Sequence, residues 1–148
     1  MPRYIYPLIK YSFDDGTMEK FAIHTFIPVK ITNPRSGQSK RIYGLADTGA
    51  DKCFLPADLT KELGHDLKGN GVKESLNIGI EQREVSVYLH TFKIELLAPD
   101  EKTVVWSSPE IEVDCSESDP PVLLGALDFL RNFKLTVDYP NEQLIIEW

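Results

Sequence analysis

The sequence predicts a mostly β protein, and three observations carry that prediction. Aromatic and β-branched residues come in short runs, Asp-Gly, Asn-Pro and Pro-Asn pairs punctuate them, and helical spacing appears in only two brief stretches. The chain has 148 residues, 42% of them hydrophobic and 26% charged, which suits one domain over residues 1–148 with a sizeable core.

Residues 4–13 read as a first strand. The turn Asp14-Asp15-Gly16 follows, and the strand pattern resumes over 19–32. Pro28 cannot donate to a ladder, so an edge or a bulge is expected there. Residues 33–38 are a loop, and residues 40–46 are a strand running into Asp47. Residues 56–63 have a helical face through Leu59 and Leu63, with Pro56 in the first turn and Gly64 to close it.

Residues 68–71 are a loop. Strands over 72–76 and 83–97 flank a tip at Asn77, Ile78, Gly79 and Ile80. In the second of these, Val85, Val87 and Leu89 alternate in one phase and Phe92, Ile94 and Leu96 in the other, which predicts a bulge near His90. Residues 103–106 and 110–113 read as two more strands and 114–121 as an acidic loop. Val122-Leu123-Leu124-Gly125 is a buried strand ending at glycine. Residues 126–133 form a short helix with Leu127 and Leu130 three apart, and residues 134–139 and 143–148 form a closing hairpin around Pro140-Asn141-Glu142.

Composition narrows the function. A net charge of −7 with scattered basic residues leaves no footprint for nucleic acid. No run approaches the roughly 18 apolar residues of a membrane span, and the N-terminus lacks the apolar core of a signal peptide. Cys53 and Cys115 are too few and too far apart for a disulfide framework, so free thiols and a cytoplasmic location are expected. His24, His65 and His90 lack metal-ligand spacing, so no metal and no cofactor is expected. No Gly-x-Ser-x-Gly turn or phosphate-binding glycine loop occurs. The acidic run from Glu110 to Asp119 reads as a solvated face, Trp106 and Trp148 as core or interface anchors, and Asp128 as a cap or loop ligand.

The chemistry concentrates at Asp47-Thr48-Gly49. An apolar strand delivers a carboxylate into a turn, Thr48 offers a hydroxyl to backbone, and Gly49 permits close approach. Taken alone, the tripeptide is equally an Asx-turn ending a strand. Its surroundings decide between the two. Leu45-Ala46-Asp47-Thr48-Gly49-Ala50-Asp51 resembles the active-site loop of retropepsin-like aspartic proteases. Val122-Leu123-Leu124-Gly125, followed by Leu127-Asp128-Phe129-Leu130, resembles that family's second mark, and residues 76–81 lie between as a candidate flap.

The resemblance implies a single-domain, closed β-barrel with one or two short helices. It also implies an endopeptidase in which Asp47 from each of two copies forms the catalytic pair, because the chain carries one Asp-Thr-Gly. On this reading Thr48, Gly49, Ala50 and Asp51 build the loop, Thr48 bonding across the interface. Asn77, Ile78, Gly79 and Ile80 cover an extended peptide or protein substrate, and Ala50, Pro121 and Leu123 line side-chain pockets. Two positions depart from the family. Arginine usually follows the second-mark glycine and pairs with the aspartate equivalent to Asp51. Here that position is Ala126, so Arg131 is the candidate replacement. The flap tip has only Gly79. These departures keep a rival reading open, a dimerisation or peptide-binding module of the same fold with little or no proteolysis.

Overall fold

The computed structural model describes residues 1–14, 19–78, 84–118 and 121–148. Twelve strands dominate it. The first run divides at Leu8 into β1 (Arg3–Pro7) and β2 (Ile9–Asp14) because it changes partner there: the Leu8 amide still follows the β12 register, donating to the Glu142 carbonyl at 2.9 Å, while Ile9 onward pairs with β3. The second run divides at Thr25 into β3 (Glu19–His24) and β4 (Phe26–Thr32). β2 and β3 pair antiparallel as expected for a hairpin, while Asp15 and Gly16 of its turn lie outside the described residues.

β5 (Ser39–Ala46) pairs with all of β4, and β8 (Glu84–Leu97) takes the other side of β4 only from Val29 onward. Pro28 therefore sits where β4 is still an edge, and its missing N–H leaves no gap in the ladder. β6 (Phe54–Pro56) leads directly into α1 (Ala57–Glu62), with Pro56 as the residue preceding the helix rather than its first turn. Leu59 and Leu63 are buried on one face of α1. The chain leaves α1 through Gly64 at φ +95°, a conformation glycine adopts without strain. Asn33 Nδ2 and Ser36 Oγ both donate to the Leu63 carbonyl, at 2.9 and 2.8 Å, so the 33–38 loop caps the helix end.

β7 (Glu74–Ile78) and β8 form a hairpin. β9 (Val104–Ser116) is one long strand where two short ones and a loop were expected. Pro109 does not break it because a bulge falls there. Lys93 pairs with Glu110 and Glu95 with Ser107, so Ser108 and Pro109 together face Ile94, and the Ser108 hydroxyl takes the Ile94 N–H at 2.9 Å. The expected bulge at His90 is absent, since register is continuous from Tyr88 to Lys93. The phase change instead reflects a buried histidine: His90 takes an inward position in line with Phe92, Ile94 and Leu96.

β10 (Leu123–Leu124) pairs parallel with β5 and antiparallel with β6. The main sheet runs β4-β5-β10-β6-β9-β8-β7, and the β4–β8 pairing closes it into a ring. The expected helix over 126–133 is a wide turn followed by a 3-10 helix at Leu130–Asn132, in which the Arg131 amide reaches back to the Ala126 carbonyl at 2.9 Å. β11 (Lys134–Asp138) and β12 (Gln143–Glu147) form the closing hairpin. β1 adds to β12, so β12 is the middle strand of a three-stranded sheet whose edges are β1 and β11.

The core fills the ring. Ile27, Val29, Ile31, Leu55, Phe92, Ile94, Leu96, Val113 and Leu124 are fully buried, each stabilising the fold by about 1.5–3 kcal/mol relative to exposure. An aromatic chain ties the terminal sheet to it. Trp106 meets Phe133 edge-on at 4.8 Å, Phe133 meets Trp148 at 5.5 Å, and Trp148 stacks on Tyr4 at 5.7 Å. Both tryptophans are thus structural, as their apolar settings suggested.

Candidate active site

β5 delivers Leu45 and Ala46 between β4 and β10, so the backbone entering Asp47 is held on both sides. On one side the Ala46 amide donates to the Thr25 carbonyl at 2.9 Å, and the Thr25 hydroxyl returns to the Ala46 carbonyl at 3.0 Å. On the other, the Leu45 amide donates to Val122 and the Asp47 amide to Leu124, at 2.8 and 3.1 Å. Thr25 breaks the β3–β4 run in order to do this, a role that its apolar neighbours in the sequence hid.

Asp47 is half-buried. Its Oδ1 accepts the Gly49 amide at 3.0 Å, and its carbonyl accepts the Ala50 amide at 3.2 Å. The Asx-turn is therefore real, and it fixes one carboxylate oxygen while Oδ2 bonds no described group. Thr48 and Gly49 are exposed, and the Thr48 hydroxyl bonds nothing among the described residues of its own chain. Ala50 is half-buried and Asp51 exposed. No second described carboxyl bonds to Asp47.

The loop after Asp47 is braced by the second glycine segment. The Ala126 amide donates to the Ala50 carbonyl at 2.7 Å, and the Leu127 amide to Asp51 at 2.9 Å. The Gly125 amide meets Cys53 Sγ at 3.3 Å, and Asp128 Oδ2 accepts the Cys53 amide at 3.0 Å. Gly125 is required by the approach: a Cβ there would lie 2.2 Å from the Lys52 carbonyl carbon. Arg131 does not replace the absent arginine, and no described cation pairs with Asp51. Backbone donors and the Asp128 carboxylate hold the loop instead.

Lys52 turns the other way and pairs with Asp114 at 2.9 Å. Asp114 is 3% exposed, so the expected solvated face over Glu110 to Asp119 is corrected. Glu110 and Glu112 are exposed, but Asp114 and Ser116 are buried where β6 runs alongside β9. Burial pushes the Cys53 thiol up to about 12 and the Cys115 thiol likewise to about 12, so both are unreactive.

Leu123 is half-buried and pairs with Leu45, which places it one strand from the Asp47 approach. Pro121 is exposed just before β10. Asn77 and Ile78 end β7, paired with Val85 and Glu84, while Gly79 and Ile80 lie outside the described residues. His65 and His90, unremarkable in sequence spacing, have ring centroids 4.6 Å apart, and burial of His90 lowers its pKa.

No family model and no curated protein matches the sequence. Solved structures do match the fold. A retropepsin-like aspartic protease from Rickettsia conorii aligns with a TM-score of 0.59 at 19% identity, covering 98% of each chain. The retroviral protease-like domain of Ddi1 from Leishmania major aligns at a TM-score of 0.45 and 16% identity, over 83% of this chain and 89% of that one. The chain has the retropepsin-like fold. No helix among the described residues is long and apolar enough to cross a membrane.

Proposed function

We propose that residues 1–148 are one aspartic endopeptidase domain that works as a cytoplasmic homodimer, with one Asp47 contributed by each copy. The observation that carries this reading is the Asp47 loop itself. A single carboxylate is held at the tip of a backbone fixed on both sides, with one oxygen oriented by Gly49 and the other bonding no described group. The fold around it is retropepsin-like.

One carboxylate is half of the chemistry. Two carboxyls brought within hydrogen-bonding distance cannot both ionise, so the pair retains one proton and titrates as a unit. The ionised Asp47 takes a proton from a water that attacks the scissile carbonyl carbon. The protonated Asp47 of the second copy hydrogen-bonds the carbonyl oxygen, and a proton then passes to the leaving nitrogen. A twofold axis through the loop is the economical way to supply the second carboxyl. It also gives the Thr48 hydroxyl a partner in the facing loop. Asn77, Ile78, Gly79 and Ile80 act as the flap that excludes water, and Ala50, Pro121 and Leu123 line the side-chain pockets.

Asp47→Asn is expected to abolish cleavage of a mixed peptide library while preserving the circular dichroism spectrum and the dimer mass by light scattering. Undiminished cleavage by this variant would overturn the assignment. That no described cation pairs with Asp51 favours one rival, a dimerisation or peptide-binding module of the same fold. That rival is supported if the wild-type chain binds extended peptides yet cleaves none from acid to neutral pH.

A further inference from the structure

The outer end of the β4–β5 face carries a groove that the catalytic reading does not use. It is shallow, with a cavity volume of about 30 Å³. Phe26, Pro28 and Tyr43 line it from one face of the sheet, together with Pro7, Pro99 and Glu101. Tyr6 beneath spends its hydroxyl on the Leu97 carbonyl at 2.7 Å, which leaves the floor apolar. Tyr43 is 40% exposed, and its hydroxyl bonds no described group.

Two features indicate what fits there. The first is chemistry. Rigid aromatic and proline surfaces favour a ligand already extended, and polyproline helices dock on such walls because little ordering entropy remains to be lost. Glu101 is the charged residue among the described lining. It sits at φ +63°, an uncommon conformation for a residue other than glycine. Asp100 holds that turn by accepting the Lys102 amide, the Thr103 amide and the Thr103 hydroxyl at 2.8, 2.9 and 2.6 Å. No described side chain pairs with Glu101, so its carboxylate is available to a cation.

The second feature is position. Phe26 lies opposite Leu45 and Pro28 opposite Tyr43, so all four share one face of the sheet. One further step of the alternation from Leu45 leads to Asp47. At roughly 3.3 Å per residue, Tyr43 lies about 13 Å from the catalytic loop, a span of about four residues of extended substrate.

We propose that this groove docks a proline-rich, extended segment bearing a basic residue, located about four residues from the bond to be cut. That the segment belongs to a substrate rests on the protease reading; the docking chemistry does not. Prolines pack against Tyr43 and Phe26, and an arginine or lysine pairs with Glu101.

The test separates the two. Full-length Asp47→Asn protein is titrated with fluorescent 12-residue peptides: one proline-rich with arginine, one proline-rich with glutamate in its place, and one proline-free with arginine. Saturable binding of the first is expected, with each of the others about five- to tenfold weaker. Tyr43→Ala should weaken the first peptide about tenfold. Glu101→Lys should invert the preference between arginine and glutamate peptides, which a merely structural role would not do. Equal binding of all three peptides, no saturable binding, or an unchanged preference in Glu101→Lys would overturn the groove. In wild type, the same segment appended to a cleavable peptide should lower KM and leave kcat unchanged. Binding without any cleavage would defeat the protease reading while the groove stands; cleavage indifferent to the segment would defeat the groove alone.

Discussion

The Asp128 carboxylate accepts the amide proton of Cys53 at 3.0 Å, across 75 residues of chain. This bond and the two amides of Ala126 and Leu127 fasten the loop that follows Asp47 to the segment that follows Gly125. Ala126 supplies only its backbone to this fastening. Asp128→Ala leaves a part-buried N–H without its acceptor, so it should destabilise the fold by about 1–3 kcal/mol. Asp128→Asn retains an acceptor oxygen and should lose less than half as much. Urea denaturation of the two variants measures the difference. If the loop positions Asp47, kcat falls with Asp128→Ala while KM changes little, and Asp128→Asn restores most of it.

Gly125 offers a sharper test of the same contact. A methyl at this position would meet the Lys52 carbonyl carbon at 2.2 Å, its oxygen at 2.5 Å and the Cys53 nitrogen at 2.7 Å, all backbone atoms. Rotamer changes cannot relieve that clash, so the two segments must separate. Gly125→Ala is expected to cost about 2–4 kcal/mol, well above an ordinary surface change. Gly71 provides a control of opposite kind: a Cβ there meets nothing, and only its φ of +81° opposes substitution. Chemical denaturation should rank Gly125→Ala as the worse by at least about 1 kcal/mol.

These contacts explain what the sequence could and could not reveal. Alternation in Ile27, Val29 and Ile31, or in Phe92, Ile94 and Leu96, is set by burial, and burial is a periodic signal. The turn at Asp47 was legible because small and polar residues follow an apolar strand there. The Lys52–Asp114 pair was not legible, since Glu110, Glu112 and Asp114 are chemically alike and only the neighbouring β6 buries the last. Thr25 sat inside an apolar run and gave no sign that it would interrupt a strand. Pro109 suggested a break because its missing donor is local information, whereas the Ser108 hydroxyl that offsets it depends on the register with Ile94. The helix over 126–133 failed for a related reason. Leu127 and Leu130 have helical spacing, but the Ala126 and Leu127 amides go to Ala50 and Asp51, and Leu127 remains 57% exposed.

Lys52 and Asp114 form an ion pair beside the Asp47 loop in which the carboxylate is buried: the Lys52 side chain is 39% exposed and that of Asp114 4%. Replacing Lys52 by methionine keeps the aliphatic stem and removes the charge. Asp114 has a further interaction besides Lys52, and solvent reaches the lysine end. The expected cost is therefore about 1–2 kcal/mol, short of the full penalty for a stranded buried charge. Asp114→Asn in the Lys52→Met background should recover part of it. A double-mutant cycle by urea denaturation checks this, and additive losses would mean that the pair contributes nothing as a pair.

His90 sets an acid limit on the fold. It is 6% exposed on β8, and its Nε2–H donates to the Leu67 carbonyl at 3.0 Å. His65 lies against it and donates its own Nε2–H to the Thr91 carbonyl at 2.9 Å. Burial lowers the His90 pKa below its ordinary value. The Leu67 hydrogen bond and Asp66 oppose the shift, while His65 and Arg35 reinforce it. A histidine with a depressed folded pKa binds its proton more readily when unfolded. Its contribution is complete above the unfolded value of about 6.5 and is lost as pH falls through the folded one. Unfolding free energy should therefore decline from pH 7 toward pH 5. His90→Gln can keep a donor to Leu67 but has no proton to gain, so its stability should fall less over that interval, even if it starts lower at pH 7. Parallel urea titrations at pH 5, 6 and 7 decide the matter, and identical pH slopes would remove His90 as the cause. Residues 64–73 run directly into β7, so softening of this contact would be passed to the β7–β8 hairpin. If the chain cleaves peptides as proposed, that activity should then decline on the acid side before global unfolding, and His90→Gln should shift the decline to lower pH.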